Sequence, residues 1–438
     1  MNKTLILGWG KSGKSACDLL RRHGRQVVCF DDNEGETVGD DVENRRGMSL
    51  ENVLEDIGLV VVNPAVDSGH PVIAGARKKG IEVVGEIELA YRFCGGEIVA
   101  VTGTNGKTTT VNLIKEIFSE AGIEAYALGN VGVPFSSRAD DMTGKVAVLE
   151  ISSFQLETTE KFRPRFAVCL NVTPDHIERH GTFDEYVRLK ARIFENQKED
   201  DFAVLNADDP VTRAFAFSLG SEIFFFSAKE RVRGAYAENG EIYFSDGKNS
   251  ERLFSSSEVR LEGEHNLSNV LAAATVARLY GINAQTIARA VSKFRAPRYR
   301  IEYIGESGGV RIFNDSKSTN IDSTLRACEA MKGRTALIVG GWDKRISYEG
   351  FFRDLPSGVV HIVCCGDNSD EIMRWAPDEA EFTLTKTATL ERAAEICLGY
   401  KDVDNILFSP STSSFDRYSD YRQRGRHFDE IIRAFANV

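Results

Sequence analysis

No stretch of this chain stays apolar for the length that a membrane-spanning helix needs, and the opening Leu5-Ile6-Leu7 is too short for a signal sequence, so a cytoplasmic location is expected. The eight cysteines include no Cys-x-x-Cys pair. Most of them lie in apolar strand-like runs such as Val27-Val28-Cys29-Phe30 and Ile362-Val363-Cys364-Cys365, so they read as reduced core residues. Proline is scarce, at ten residues, and no long disordered tail is visible. Positive charge is in deficit. A net charge of −11 argues against nonspecific binding of nucleic acid or an anionic membrane, so any phosphorylated ligand must be met by local basic groups. What is present is 438 residues, 42% of them apolar, which exceeds what one core usually supports and predicts two or three domains.

Strand-like and helix-like segments alternate throughout, which predicts an α/β protein of three domains, each a mostly parallel sheet with flanking helices. Residues 1–93 read as a Rossmann-like domain, with strands at 4–7, 26–30, 59–62 and 81–84 and a helix over 15–23. Residues 94–296 read as a phosphate-loop domain, with strands near 97–100, 145–149, 166–170 and 202–205. The polar stretch 235–258 reads as a hairpin-bearing insertion in it. Residues 297–438 form a second Rossmann-like unit, with strands at 310–313, 335–339, 359–365 and 405–408.

The most informative run is Val101 to Thr110, which follows the strand Glu97-Ile98-Val99-Ala100 and opens a helix. Gly103 and Gly106 let backbone N–H groups approach a polyphosphate, Lys107 reaches its β/γ oxygens, and Thr108 offers a hydroxyl to Mg²⁺. Val101 stands where the general phosphate loop has its first glycine, so this is a specific variant. Glu150 ends the strand 146–150, where such enzymes keep a metal-binding or water-orienting acid. The segment Asn171 to Gly181 holds His176 and His180 with Glu178 between them. This is not the His-Glu-x-x-His zinc helix, and a hard-metal or anion role for His176 stands beside a structural one. Asn269 opens an apolar helix at Val270, either against a base or as a cap.

Gly8-Trp9-Gly10-Lys11-Ser12-Gly13, with Asp31 at the end of the next strand, suits a dinucleotide or another nucleotide-linked diphosphate. Runs 314–320, 340–344 and 409–416 gather hydroxyls, cations and glycines at successive strand ends, describing an anion-binding cleft. Two classes therefore stand beside an ATP-splitting enzyme. One is a nicotinamide-dependent oxidoreductase using Gly8 to Gly13, and the other is a non-catalytic nucleotide-binding protein.

Together, Thr102 to Thr109, Asn171 to Gly181 and Gly263 to Asn269 resemble the Mur ligase family, ATP-dependent amide-forming enzymes of peptidoglycan precursor synthesis. The resemblance covers the whole chain. Gly85 to Leu89, Glu150 to Glu157, Asp315 to Asn320 and Ser409 to Asp416 are similar to the branch that adds D-glutamate to UDP-N-acetylmuramoyl-L-alanine. It implies that Gly10, Lys11, Ser12 and Asp31 lie near the uridine diphosphate. Asn130, Ser152, Gln155 and His176 would meet the muramoyl-alanine end or its phosphates. ATP would lie on Gly103, Thr104, Asn105, Gly106, Lys107, Thr108 and Thr109, with Asn269, Arg300 and Asp315, the last toward the ribose. One Mg²⁺ would rest on Thr108 and Glu150, and a second on His176 and a carbamylated Lys190. Thr319, Lys344, Ser414 and Tyr421 would hold D-glutamate. Lys107, Glu150, His176 and Lys190 are the implied catalytic set in a monomer whose third domain closes onto the second. Tyr299 stands where the family usually has histidine, Thr412 where it has cysteine, and Arg345 where many relatives have glycine.

Overall fold

The computed structural model describes residues 3–32, 42–130, 132–261, 264–295, 298–343, 347–377 and 379–436. Lys344 and Arg345 lie outside them. The first sheet contains β1 (Lys3–Leu7), β2 (Val27–Phe30), β3 (Glu43–Asn44), β4 (Ile57–Val62) and β5 (Glu82–Gly85), all parallel in the order β3-β2-β1-β4-β5. Leu5, Ile6, Val60 and Val61 are buried whichever face they point to, as expected of a strand covered by helices on both sides. The helix after β1 begins at Lys11, four residues before the start read from the sequence. Its early start rests on small residues. A Cβ on Gly13 would lie 2.1 Å from the Gly8 carbonyl oxygen, so the tight entry into the helix requires glycine there.

The second sheet has nine strands: β6 (Glu97–Thr102), β7 (Ala125–Gly129), β8 (Val146–Glu150), β9 (Phe166–Cys169), β10 (Phe202–Asn206), β11 (Glu222–Ser227), β12 (Gly234–Glu238), β13 (Glu241–Ser245) and β14 (Ser250–Ser255). Their order is β14-β13-β12-β11-β10-β9-β6-β8-β7, which puts the phosphate-loop strand β6 between β9 and β8. Stretch 235–258 is not an insertion. β12 pairs parallel to β11, and β13 and β14 follow antiparallel, so the segment continues the main sheet. The helix expected from Val270 runs over Glu264–Leu279, which puts Asn266 and Asn269 inside it rather than at its cap.

The third sheet comprises β15 (Glu302–Ser307), β16 (Val310–Asn314), β17 (Thr335–Val339), β18 (Val359–Cys364), β19 (Thr383–Lys386) and β20 (Asn405–Phe408), in the order β15-β16-β20-β17-β18-β19. Only the β15–β16 pairing is antiparallel. All eight cysteines are free, and seven are buried.

The three sheets fall into two compact units: Met1–Val259 with Ser268–Phe294, and Arg260–Leu267 with Arg295–Val438. The first two sheets share a unit because polar anchors join them. Glu88, fully buried in the helix after β5, accepts the backbone N–H groups of Glu160, Lys161 and Phe162 at 2.9, 2.9 and 3.0 Å on one carboxylate oxygen. Arg22 holds Asp140 through two bonds of 3.0 Å, and the Ser136 hydroxyl meets Ser15 at 2.8 Å. Replacing Glu88 with alanine strands three N–H donors and is expected to cost about 3 kcal/mol or more. A lowered thermal midpoint, with nucleotide binding retained in the folded fraction, checks this.

Candidate active site

The loop between β6 and the helix Lys107–Glu120 turns on Gly103 (φ 146°) and Gly106 (φ 87°), backbone that L side chains rarely adopt. Gly106 is confined a second way: a Cβ there would lie 2.2 Å from Oδ1 of Asn269, which also accepts the Thr110 hydroxyl at 3.3 Å. Asn269, read from the sequence as facing a base or capping a helix, is thus buried against the phosphate loop. From the β9 side, the Asn171 carbonyl accepts Thr104 N–H at 2.9 Å and its side-chain oxygen accepts Asn105 N–H at 2.8 Å. The Thr104 hydroxyl sits 3.1 Å from both the Thr173 carbonyl and the Tyr186 hydroxyl. Asn171, Thr173 and Tyr186 therefore brace the loop, a role the sequence reading did not give them. Asn171 could have been found from its place at a strand end. Tyr186 offers only its i,i+4 spacing to Lys190.

Two lysines converge on one oxygen. The Gly103 carbonyl accepts Lys107 Nζ at 2.7 Å and Lys190 Nζ at 2.9 Å, and Lys107 also donates to the Thr104 carbonyl at 2.8 Å. Lys190 is 1% exposed and stands over the Tyr186 ring at 4.5 Å. Burial, reinforced by the neighbouring Lys107 charge, lowers its pKa from 10.5 to about 7. Without the family resemblance, nothing in the sequence distinguishes Lys190 from an ordinary helix-surface lysine. It is on the inner face of its helix, Phe183–Ala191.

At the end of β8, buried Glu150 accepts the Thr108 hydroxyl at 2.7 Å on one oxygen and Asn130 Nδ2 at 3.1 Å on the other. Asn130, named apart from the Thr108–Glu150 pair in the sequence, thus joins that pair beside the loop. Ser152 and Gln155 form a reciprocal cap at the start of the helix Ser153–Leu156, which occupies the Ser152 hydroxyl and the Gln155 side-chain oxygen. His176 holds a left-handed backbone (φ 55°), packs on Phe154 with ring centres 4.8 Å apart and lies 3.6 Å from Asp175. His180 is structural: it meets Ser153 at 3.0 Å and Glu157 at 3.4 Å. Among the described residues no group of three His, Cys, Asp or Glu side chains could hold a metal.

At the first sheet, the Asp31 carboxylate accepts Trp9 N–H, and Lys11 donates across to the Gly132 carbonyl. Gly10 caps the helix that carries the half-exposed Ser12.

In the second unit, Asp315 is 1% exposed. It accepts the hydroxyls of Ser318 and Ser409, the latter at 2.7 Å, and Ile301 N–H at 3.1 Å. Burial raises its pKa to about 6. In this structure its carboxylate fastens β16, β20 and the segment around Ile301. Arg300, expected with it at ATP, precedes Ile301, which has a left-handed backbone (φ 44°), as does Tyr299 (φ 66°). Thr319 lies between Ser318 and the Asn320 helix cap, Ser414 is buried, and Tyr421 opens the last helix, Tyr421–Ala436.

A phosphate loop braced by a buried lysine, with a hydroxyl–carboxylate pair beside it, defines a nucleotide-triphosphate-using α/β enzyme, and the sequence places it in one family. Residues 2–85 match "Mur ligase MurD-like, N-terminal domain", 101–277 match "Mur ligase middle domain", and 299–412 match "Mur ligase, glutamate ligase domain". The chain belongs to the Mur ligase family. It is 41% identical to the UDP-N-acetylmuramoylalanine--D-glutamate ligase of Acidobacterium capsulatum, over 99% of this chain and 96% of that one. It is 37% identical to the protein of that name from Thermoanaerobacter pseudethanolicus, over 98% of both. Among solved structures, a pseudomurein peptide ligase type C from Methanothermus fervidus shares the fold, with a TM-score of 0.64 at 19% identity, over 99% of this chain and 100% of that one. Among the described residues no helix is long and apolar enough to cross a membrane.

Proposed function

We propose that this chain joins D-glutamate to UDP-N-acetylmuramoyl-L-alanine at the expense of ATP, in peptidoglycan precursor synthesis. The observation that carries the reading is full-length identity of 37% and 41% to ligases named for that reaction. The γ-phosphoryl group of ATP passes to the alanyl carboxylate, and the amine of D-glutamate displaces phosphate from the resulting acyl phosphate. An amide, ADP and phosphate leave. The loop 103–109 cradles the triphosphate through backbone N–H groups, and Lys107 bonds its outer oxygens. Asn269 packs against this loop. Gly10, Lys11, Ser12 and Asp31 are assigned to the uridine diphosphate, and Asn130, Ser152, Gln155 and His176 to the muramoyl-alanine end. Thr319, Lys344, Ser414 and Tyr421 are assigned to D-glutamate.

The residues fit hard cations. Thr108 and Glu150 already pair oxygen to oxygen at 2.7 Å beside the loop, a donor set suited to Mg²⁺. A second ion would rest on His176 and a carbamylated Lys190. Bound there, the two ions would neutralise charge on the transferring phosphoryl group. Lys190 suits carbamylation because its depressed pKa leaves a large neutral fraction near pH 7, and only a neutral amine adds carbon dioxide.

The test is phosphate release from ATP with UDP-N-acetylmuramoyl-L-alanine present, adding in turn D-glutamate, L-glutamate, meso-diaminopimelate, L-lysine and L-alanine. Release that depends on D-glutamate supports the reading. Dependence on another amino acid moves the chain to another branch of the family, and no release with any of them overturns a ligase role.

A further inference from the structure

One arginine fastens the segments to which the amino acid is assigned. Arg424, in the first turn of the helix Tyr421–Ala436, is 2% exposed. Its Nε donates to the Ser316 hydroxyl at 3.1 Å, Nη1 to the Ser413 carbonyl at 3.0 Å, and Nη2 to the carbonyls of Ser316 at 2.9 Å and Thr412 at 3.0 Å. The Ser316 hydroxyl in turn donates to the Tyr421 carbonyl at 2.9 Å. A Cβ on Gly341 would come within 2.9 Å of Nη1, so the turn after β17 is shaped around the same guanidinium. The planar fork thus ties the segments after β16 and β20 to the last helix and packs against the turn after β17, a geometry that lysine cannot reproduce.

All four acceptors of Arg424 are neutral, and among the described residues no carboxylate forms an ion pair with it. Asp416, which lines with it a cavity of about 20 Å³, room for one water, acts on its charge through space. Burial lowers the pKa of Arg424 to about 10, which keeps it protonated at neutral pH.

We infer that Arg424 is a positioning residue for the acidic amino acid. It fixes the segments carrying Thr319, Ser414 and Tyr421 in one register. This rests on the assignment of D-glutamate to those residues. It acts through the loops and not by contact with the reacting atoms.

The test is steady-state kinetics of the full chain for the wild type, Arg424→Lys and Ser316→Ala, with thermal midpoints measured alongside. Arg424→Lys keeps charge and loses the fork, and is expected to raise KM for D-glutamate about tenfold while KM for ATP and for the UDP-linked substrate moves by about twofold or less. Ser316→Ala removes one hydroxyl and is expected to move the same KM in the same direction by a smaller factor. Should Arg424→Lys fail to fold, Ser316→Ala decides. An unchanged KM for D-glutamate, or equal rises in all three KM values with a fall in thermal midpoint, overturns the inference. A wild-type chain with no D-glutamate-dependent release overturns the assignment of substrate and the inference with it.

Discussion

Lys107→Ala is expected to lower D-glutamate-dependent phosphate release by about 10³-fold or more, because it removes the one charged group that the phosphate loop aims at the transferring phosphoryl. The ammonium bonds the carbonyls of Gly103 and Thr104, its own loop, at 2.7 and 2.8 Å. Polyphosphate oxygens are stronger acceptors than carbonyls for a cation, so the lysine exchanges these bonds when the nucleotide binds. Lys107→Arg keeps the charge but replaces a compact ammonium with a planar fork, and it is expected to recover little. Binding of the UDP-linked substrate, measured by calorimetry, should be nearly unchanged in both variants. Substantial release by Lys107→Ala would sink the assignment of the triphosphate to this loop.

Lys190 gives the second large effect, with two readouts of opposite sign. Lys190→Met is expected to lower activity by about 10²-fold or more, since no carbamate can form to hold a cation. The same substitution should raise the thermal midpoint at pH 7. In the unmodified chain, Lys190 releases its proton at about pH 7 when folded and at 10.5 when unfolded. Between those values the unfolded state binds more protons, so stability rises with pH across the window, and at pH 7 burying the amine costs on the order of a few kcal/mol. Methionine removes both the cost and the pH dependence. For the wild type, depletion of carbon dioxide should lower activity. At constant dissolved carbon dioxide, recovery should accelerate as pH rises through 7. Full activity in Lys190→Met would exclude the carbamate.

The fold was legible in the sequence where hydrophobic runs were short, dense and punctuated by glycine. β1, β6, β8 and β17 stand within two residues of where the pattern put them. Three of the strands that were missed had local reasons. β3 spans two exposed residues, β7 opens on a weakly apolar run, and β19 is a polar edge strand. The loop and Glu150 could be named from sequence because their chemistry is carried by residue type and spacing, whereas Lys190 is reached only through the family resemblance. Their connection could not, because the Gly103 carbonyl that joins the lysines is a backbone atom without a sequence signature. Asp315 shows the reverse. The family resemblance assigns it to ATP, but residue type could not show that its carboxylate also accepts hydroxyls from Ser409, 94 residues away, and from its neighbour Ser318. The first two sheets read as separate units because nothing in the composition of residues 85–95 reveals that Glu88 reaches into the turn at 160–162.

The shared Gly103 oxygen makes the two lysines a coupled pair, and coupling is reciprocal. An arriving triphosphate draws Lys107 toward itself and brings anionic charge close to Lys190. Both changes favour protonated Lys190 and so disfavour its reaction with carbon dioxide. Under the carbamylation proposed for Lys190, the modification would form most easily on the nucleotide-free chain, with carbon dioxide loading before ATP.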